Sequence, residues 1–360
     1  MGSCWGGEVQ DEAQRFFSMK PMPTDAPLVS IVTPVYNAAA YLPECIESIL
    51  AQTYPHWDYT IIDNCSTDDS PAIARSYAAK DSRIRVQRND HCLPAMANHN
   101  MALRQLSRAS KYCKVVFADD WIFPECLQKM VAVAEEHPTA GIVGSYCLEG
   151  QQVICTGLPY TTRLISGREV CRLHLLEQLY LFGSANSLLY RSELVRARDP
   201  FFDEANIHGD TEVCFALLRS CDFGFVHQVL TFTRLRPGSL NTVSSDHAAY
   251  FAGMLLILAR HGAHYLTAEE LSTRRNQELS DYYRFLSKSL FLRRDRGFWE
   301  YHKKKLIELG YGLSRARLAR ATLANLLAAA LRPADALRRI GKAAGPRGLG
   351  RTTTPGASSA

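Results

Sequence analysis

The residues of this 360-residue chain placed to do chemistry are mostly carboxylates that follow apolar runs. Asp119 and Asp120 come directly after the run 114–118, with Ala118 before them. Two adjacent carboxylates there repel each other and gain little from packing. A divalent cation, Mg2+ or Mn2+, removes that repulsion and can serve as a Lewis acid there. The pair also suits an N-cap before Pro124. Asp63 ends the run 57–62, where a carboxylate can accept a hydrogen bond from the imide N–H of a flat base. Its other use is to cap the next helix, although Ser66 or Thr67 would already serve there. Thr33, Pro34, Tyr36 and Asn37 close the run 28–33 and would set backbone groups and an aromatic ring beside such a base. They fit an ordinary turn equally well. Asp210 and Glu212 open a helical stretch, and by spacing alone Asp210 reads as its cap.

These residues need elements to hold them. Apolar strands at 28–33, 57–62, 84–87, 114–118 and 141–146 alternate with helical spacing at 41–52, 66–80, 94–106 and 124–136. That rhythm implies right-handed βαβ units and an α/β fold with a mostly parallel central sheet flanked by helices. Ligands of such sheets bind outside the carboxyl ends of the strands, which aligns 33–37, 63–66 and 119–120 along one edge. Past Gly150 the pattern loosens into strands at 153–156, 187–190 and 223–233 and helices at 167–178 and 210–220. From 248 onward it is helical, over 248–261, 269–292, 298–309 and 314–331.

Composition narrows the class. Net charge is +5, and from Leu313 onward Asp335 is the only acidic residue, so the main body is near neutral and no nucleic-acid partner is expected. The eleven cysteines form no C-x-x-C pair and no zinc-finger spacing, which fits a reducing, cytoplasmic setting. Residues 1–26 lack an apolar signal-peptide core and read as a flexible leader, and 341–360 as a disordered tail. The apolar run 251–259 is too short to span a bilayer. The basic helix 314–339, with Arg315, Arg317, Arg320, Arg332, Arg338 and Arg339, could lie on an anionic membrane at its inner face. A helix packed on the core with a solvated basic face explains it as well.

Three motifs in order carry a family resemblance: 29–37 (VSIVTPVYN), 61–70 (IIDNCSTDDS) and 117–124 (FADDWIFP). Together they resemble the inverting, GT-A-type family 2 glycosyltransferases, over about 28–144 and more weakly to 241. The resemblance implies a GT-A Rossmann-like domain at 27–245, with a nucleotide-binding half (28–145) and an acceptor half (146–245), before a helical region at 246–340. It implies a metal-dependent enzyme that moves a sugar from a nucleotide-sugar donor to a saccharide or lipid-linked acceptor. Asp63 would hold uracil, Asp119 the metal, and Asp120 the donor or its water. Asp210 would be the base, with Glu212 behind it, and Ser66, Asn98 and Asn100 further donor contacts. Four departures stand out: Phe117 replaces the first Asp of the acidic motif, His99 an Arg, Gly209 a Glu, and Arg236 a His. Arg236 cannot ligate a cation but, like Arg234, can pair with diphosphate. Those departures also suit an inactive nucleotide-sugar-binding protein that keeps the fold. No Gly-rich triphosphate loop follows the first strand and no G-x-G-x-x-G follows any, which disfavours nucleotidyltransferase and dinucleotide oxidoreductase readings.

Overall fold

The computed structural model of the chain describes residues 26–206, 208–236, 249–292 and 294–331. The expected leader and tail lie outside these residues. β1 (Val29–Val35) is buried along its whole length between β2 (Trp57–Asp63) and β4 (Tyr112–Val115), parallel to both, and β3 (Ile84–Arg88) is parallel to β2. A continuous apolar run is what a central parallel strand needs, because both its faces are covered. The intervening helices supply the cover. α1 (Leu42–Leu50) buries Leu42, Cys45, Ile46 and Ile49, one stripe at helical spacing. α2 (Ser70–Ala78) and α3 (Ala95–Leu103) follow β2 and β3.

The second half completes the sheet with β5 (Trp121–Ile122), α4 (Cys126–Glu136), β6 (Ala140–Glu149), β7 (Gln152–Ile154), β8 (Leu164–Ile165), α5 (Gly167–Leu175), β9 (Leu188–Arg191), α6 (Ser192–Arg196), α7 (Gly209–Leu217) and β10 (Asp222–Thr233). The strand order is β3-β2-β1-β4-β9-β6-β10-β5. β6 and β10 are parallel, whereas β9 runs antiparallel between β4 and β6. The sheet is therefore mostly parallel, as expected, with one reversed strand at its centre and short antiparallel strands at its margin. Buried cores lie on its two faces, one around α1 and α4, the other around α5, α7 and the start of the helical region.

α8 (Ala249–Arg260), α9 (Gly262–Tyr265), α10 (Ala268–Phe291), α11 (Arg296–Glu308) and α12 (Arg315–Leu331) form that region. α8 belongs to two cores. Met254, Ile257 and Leu258 pack on the sheet side, while Ala252 and Leu255 join Tyr282, Leu286 and Phe298 of α10 and α11. Among the described residues no helix is long and apolar enough to cross a membrane.

Two boundaries differ from the sequence expectation. The first strand runs through Pro34 instead of stopping before it. Val32 C=O accepts from Val116 N–H and Val35 C=O from Asn64 N–H, so alternation turns the Pro34 nitrogen toward β4, past the last β1–β4 pair. A missing donor costs no ladder bond there. The second helix begins at Ser70, not Ser66, because 66–69 is occupied in joining two loops.

Candidate active site

The carboxyl ends of β1 and β2 meet in register at Val35 and Asp63. Asp63 is 1% exposed; Oδ1 accepts from Ser66 N–H at 3.1 Å, while Oδ2 has no hydrogen-bond donor and only Arg88 Nε at 3.5 Å. A buried carboxylate oxygen without a donor is costly unless a ligand supplies one. Tyr36, one residue past Val35, is exposed. Asn37 takes a left-handed conformation (φ 48°) that asparagine tolerates. Its N–H donates to Ser66 Oγ at 3.0 Å and its Oδ1 accepts from Thr67 N–H at 2.8 Å. Ser66 and Thr67 thus lock the two loops together and do not cap α2, which has no side-chain cap. Thr33 departs from its expected place in a base pocket. It is fully buried, with Oγ1 accepting from Tyr59 OH at 2.9 Å, and belongs to the core under the sheet, while Pro34 is interior strand. Arg88 was not legible as a site residue; only its register opposite Asp63 brings it there.

The acidic pair is split by the fold. Ala118 is buried and gives the turn only its backbone. Asp120 is 4% exposed and faces inward, its Oδ1 accepting from Arg234 N–H at 2.8 Å at the end of β10. Burial, then the neighbouring Asp119 charge, push its carboxyl well above the usual range. The expected donor contact at Asp120 is therefore corrected to a clamp on β10. Asp119 faces outward, with Oδ2 accepting from Arg236 Nε at 2.7 Å. Arg234 is also an anchor: Nε donates to Asp119 C=O at 3.0 Å, its terminal nitrogen pairs with Glu44, and its guanidinium lies 5.0 Å from the Tyr41 ring. Its expected diphosphate role gives way to holding this turn, while Arg236 is the half-exposed cation beside Asp119. Residues 237–239 of the same expected loop lie outside the described residues.

Among the described residues no three His, Cys, Asp or Glu side chains converge as a metal cage. A hard divalent cation that keeps its waters and borrows phosphate oxygens needs only one or two carboxylates. Asp119, with Oδ1 beside the Arg236 contact, fits a cation that arrives with a diphosphate and does not fit an all-protein site.

The third cluster joins α3 to α7. Asn100 is 1% exposed and its amide is fully engaged: Nδ2 donates to Phe202 C=O at 2.9 Å and Glu204 Oε1 at 3.1 Å, and Oδ1 accepts from Phe202 N–H at 2.8 Å. It is a clamp, so its donor contact is dropped. Asn98 is also buried and accepts from Asn89 at 2.9 Å, within a network running to Asn64 and Leu93 behind Asp63. His99 lies between Phe117 and Phe202, with ring centroids at 5.0 and 6.4 Å, and burial pushes its imidazole down to about 4. The Phe117 and His99 departures therefore form one aromatic contact. At Gly209 a Cβ would lie 2.9 Å from Met96 Cε on α3, at the mobile end of that side chain.

Asp210 sits in the first turn of α7, Oδ1 accepting from Thr211 N–H at 2.7 Å. Burial raises its carboxyl above the usual range, and the His208 charge opposes that shift. His208 packs under α8, where a Cβ on Gly253 would approach its ring to 2.6 Å. Glu212 is 3% exposed and fully braced, by His261 Nε2 at 2.7 Å and Arg198 at 3.0 Å. Side-chain bonding to His261 and nearby arginines outweigh burial and lower its carboxyl. Its expected role as reserve base is corrected to a strut between α7 and the α8–α9 junction.

A mostly parallel sheet with one reversed central strand, flanked by helices, is the GT-A glycosyltransferase fold. Crystal structures of Staphylococcus aureus TarS residues 1–349 share it: the complex with UDP at TM-score 0.57 and 17% identity, covering 78% of this chain and 79% of that one, and the complex with UDP-GlcNAc at 0.58 and 16%, covering 78% and 80%. Residues 30–198 match the family model of glycosyl transferase family 2. Similar proteins include glycosyltransferase GlyG of Streptococcus pneumoniae (30% identity over 33% of this chain and 39% of its own) and the uncharacterized glycosyltransferase EpsJ of Bacillus subtilis (29% over 53% of each). The chain spans about half or less of the length of these relatives.

Proposed function

We propose that the chain transfers a sugar from a UDP-linked donor to a saccharide or lipid-linked acceptor, with inversion at the anomeric carbon. The observation that carries this reading is Asp63 Oδ2, buried and without a hydrogen-bond donor, in register with Val35, the residue before the exposed Tyr36. A base offering an imide N–H, stacked on Tyr36, would complete it, and the UDP-bearing structures that share the fold favour uracil.

The chemistry follows from the other strand ends. Asp210, raised by burial, takes the proton from an acceptor hydroxyl. The acceptor oxygen then bonds to the anomeric carbon from the face opposite the diphosphate. The bond from that carbon to the diphosphate oxygen breaks, and its electron pair leaves with UDP. Arg236 offsets the charge gathering on the diphosphate. A Mg2+ or Mn2+ ion held by Asp119 would supply Lewis-acid stabilisation of the same leaving group. The exposed leucines and arginines of α12 suit an acceptor kept at an anionic membrane surface.

The test is release of UDP from a panel of UDP-sugars, with NMR of the product's anomeric configuration. Release from at least one donor with inversion, lost in Asp210→Asn while UDP still binds, is expected. Near-normal turnover by Asp210→Asn would remove the base assignment, and a retained anomeric configuration would remove the inverting mechanism.

A further inference from the structure

Two arginines meet one aromatic ring just past the end of β10. Arg234 and Arg236 stand two residues apart, and their guanidinium carbons lie 5.0 and 5.3 Å from the centre of the Tyr41 ring. Both separations fall within the range over which an aromatic face attracts a cation. Tyr41 is partly buried and immediately precedes α1. Its N–H donates to Ala38 C=O at 2.9 Å, and its C=O accepts from Cys45 N–H at 3.2 Å. Ala38 N–H in turn donates to Ser70 Oγ and Ala39 N–H to Asp68 Oδ2, each at 2.9 Å. The turn that carries the ring is therefore tied down on both sides. Arg234 has several other holds, since its N–H donates to Asp120, its Nε to Asp119 C=O and its terminal nitrogen to Glu44. Arg236 meets the acidic turn through Asp119 Oδ2, at 2.7 Å from its Nε.

We propose that Tyr41 is a positioning residue for the transfer, its ring holding the Arg236 guanidinium against the Asp119 turn for the departing diphosphate. This rests on the transferase reading above and deepens it. Asp119 is the carboxylate assigned to a cation, and a carboxylate shared with a cation attracts a guanidinium less strongly. A ring face is no ligand for a hard cation, so its attraction for Arg236 persists when the Asp119 charge is shared. A guanidinium placed in advance has already given up its rotamer freedom before charge develops on the leaving oxygen. Arg234 keeps its other bonds without the ring, so the ring matters most to Arg236.

Steady-state UDP release from a UDP-sugar that wild type turns over tests it, in single and paired variants. Tyr41→Ala and Tyr41→Leu should each lower kcat about three- to thirtyfold and leave donor KM within about twofold. Tyr41→Phe, which keeps the ring, should keep the wild-type rate. In an Arg236→Gln background Tyr41→Leu should cost less than about twofold, because the group it positions is gone. If Tyr41→Ala fails to fold, Tyr41→Leu decides, since it keeps the apolar bulk. Tyr41→Leu with wild-type kcat, a loss confined to KM, a comparable loss in Tyr41→Phe, or an undiminished loss beside Arg236→Gln each overturns the positioning role while leaving the transferase reading intact. A folded wild type that releases UDP from no donor overturns that reading, and the positioning role with it.

Discussion

Asp210 illustrates how a site is tuned against stability. Its carboxyl is raised in the fold relative to the unfolded chain, so the folded state holds the proton to higher pH. Stability from this group therefore falls as pH rises from the unfolded carboxylate range through the raised one. Asp210→Asn should raise the melting temperature at neutral pH, with a gain that shrinks on acidification, and should abolish transfer. A melting curve at two pH values checks the sign, and a lower neutral melting temperature would contradict it. Wild-type transfer should also fall as pH drops through the raised range, since only the ionised form accepts the proton. The sequence showed Asp119 and Asp120 as a pair but could not say which faced out. That choice depends on where Arg234 and Thr233 arrive from 114 residues further on, which no local spacing encodes. Arg88 was missed for a related reason, because it enters through strand register.

Elements were more legible than side-chain roles. Alternating strands and helices gave the order of the nucleotide-binding half, since the apolar run 28–33 reads as a covered strand and the stripe within 41–52 as a helix with one face inward. The two-residue β5 and the reversal of β9 were not readable, being fixed by tertiary pairing. Lys114 shows the limit best. It reads as an ordinary strand lysine, yet it is fully buried, its Nζ donating to Asn186 C=O and Leu188 C=O, and burial lowers its pKa. Lys114→Met should leave both carbonyls without a donor and cost about 2–4 kcal/mol, measured by urea unfolding; a neutral result would contradict the bracing role. Glu212→Ala should likewise cost about 2–4 kcal/mol, discounted for the partly exposed Arg198, by stranding His261 and Arg198. UDP affinity should be spared in the refolded protein.

At the scale of the molecule, α8 ties the helical region to the sheet, and α12 closes that region. Leu318, Ala321 and Asn325 of α12 face inward, and Asn325 donates to Arg284 C=O at 3.1 Å. Leu323, Leu326, Leu327 and Leu331 are exposed on the same helix as Arg315, Arg317 and Arg320. Apolar area plus basic charge is what surface binding to anionic lipid needs. The chain should co-sediment with phosphatidylglycerol vesicles and not with phosphatidylcholine vesicles, and Leu326→Glu with Leu327→Glu should abolish it; equal sedimentation with both lipids would contradict this. The central claim concerns the strand ends, where Asp63 is proposed to hold the base and Asp119 the metal beside the diphosphate. Calorimetric titration of UDP, GDP and dTDP into the protein, with and without Mn2+, tests it most directly. The account predicts that UDP binds best, that Mn2+ strengthens it, that Asp119→Ala removes the Mn2+ effect, and that Asp63→Ala weakens UDP at least about tenfold. Well-folded protein that binds none of the three, or binds UDP equally well without Asp63, would contradict it.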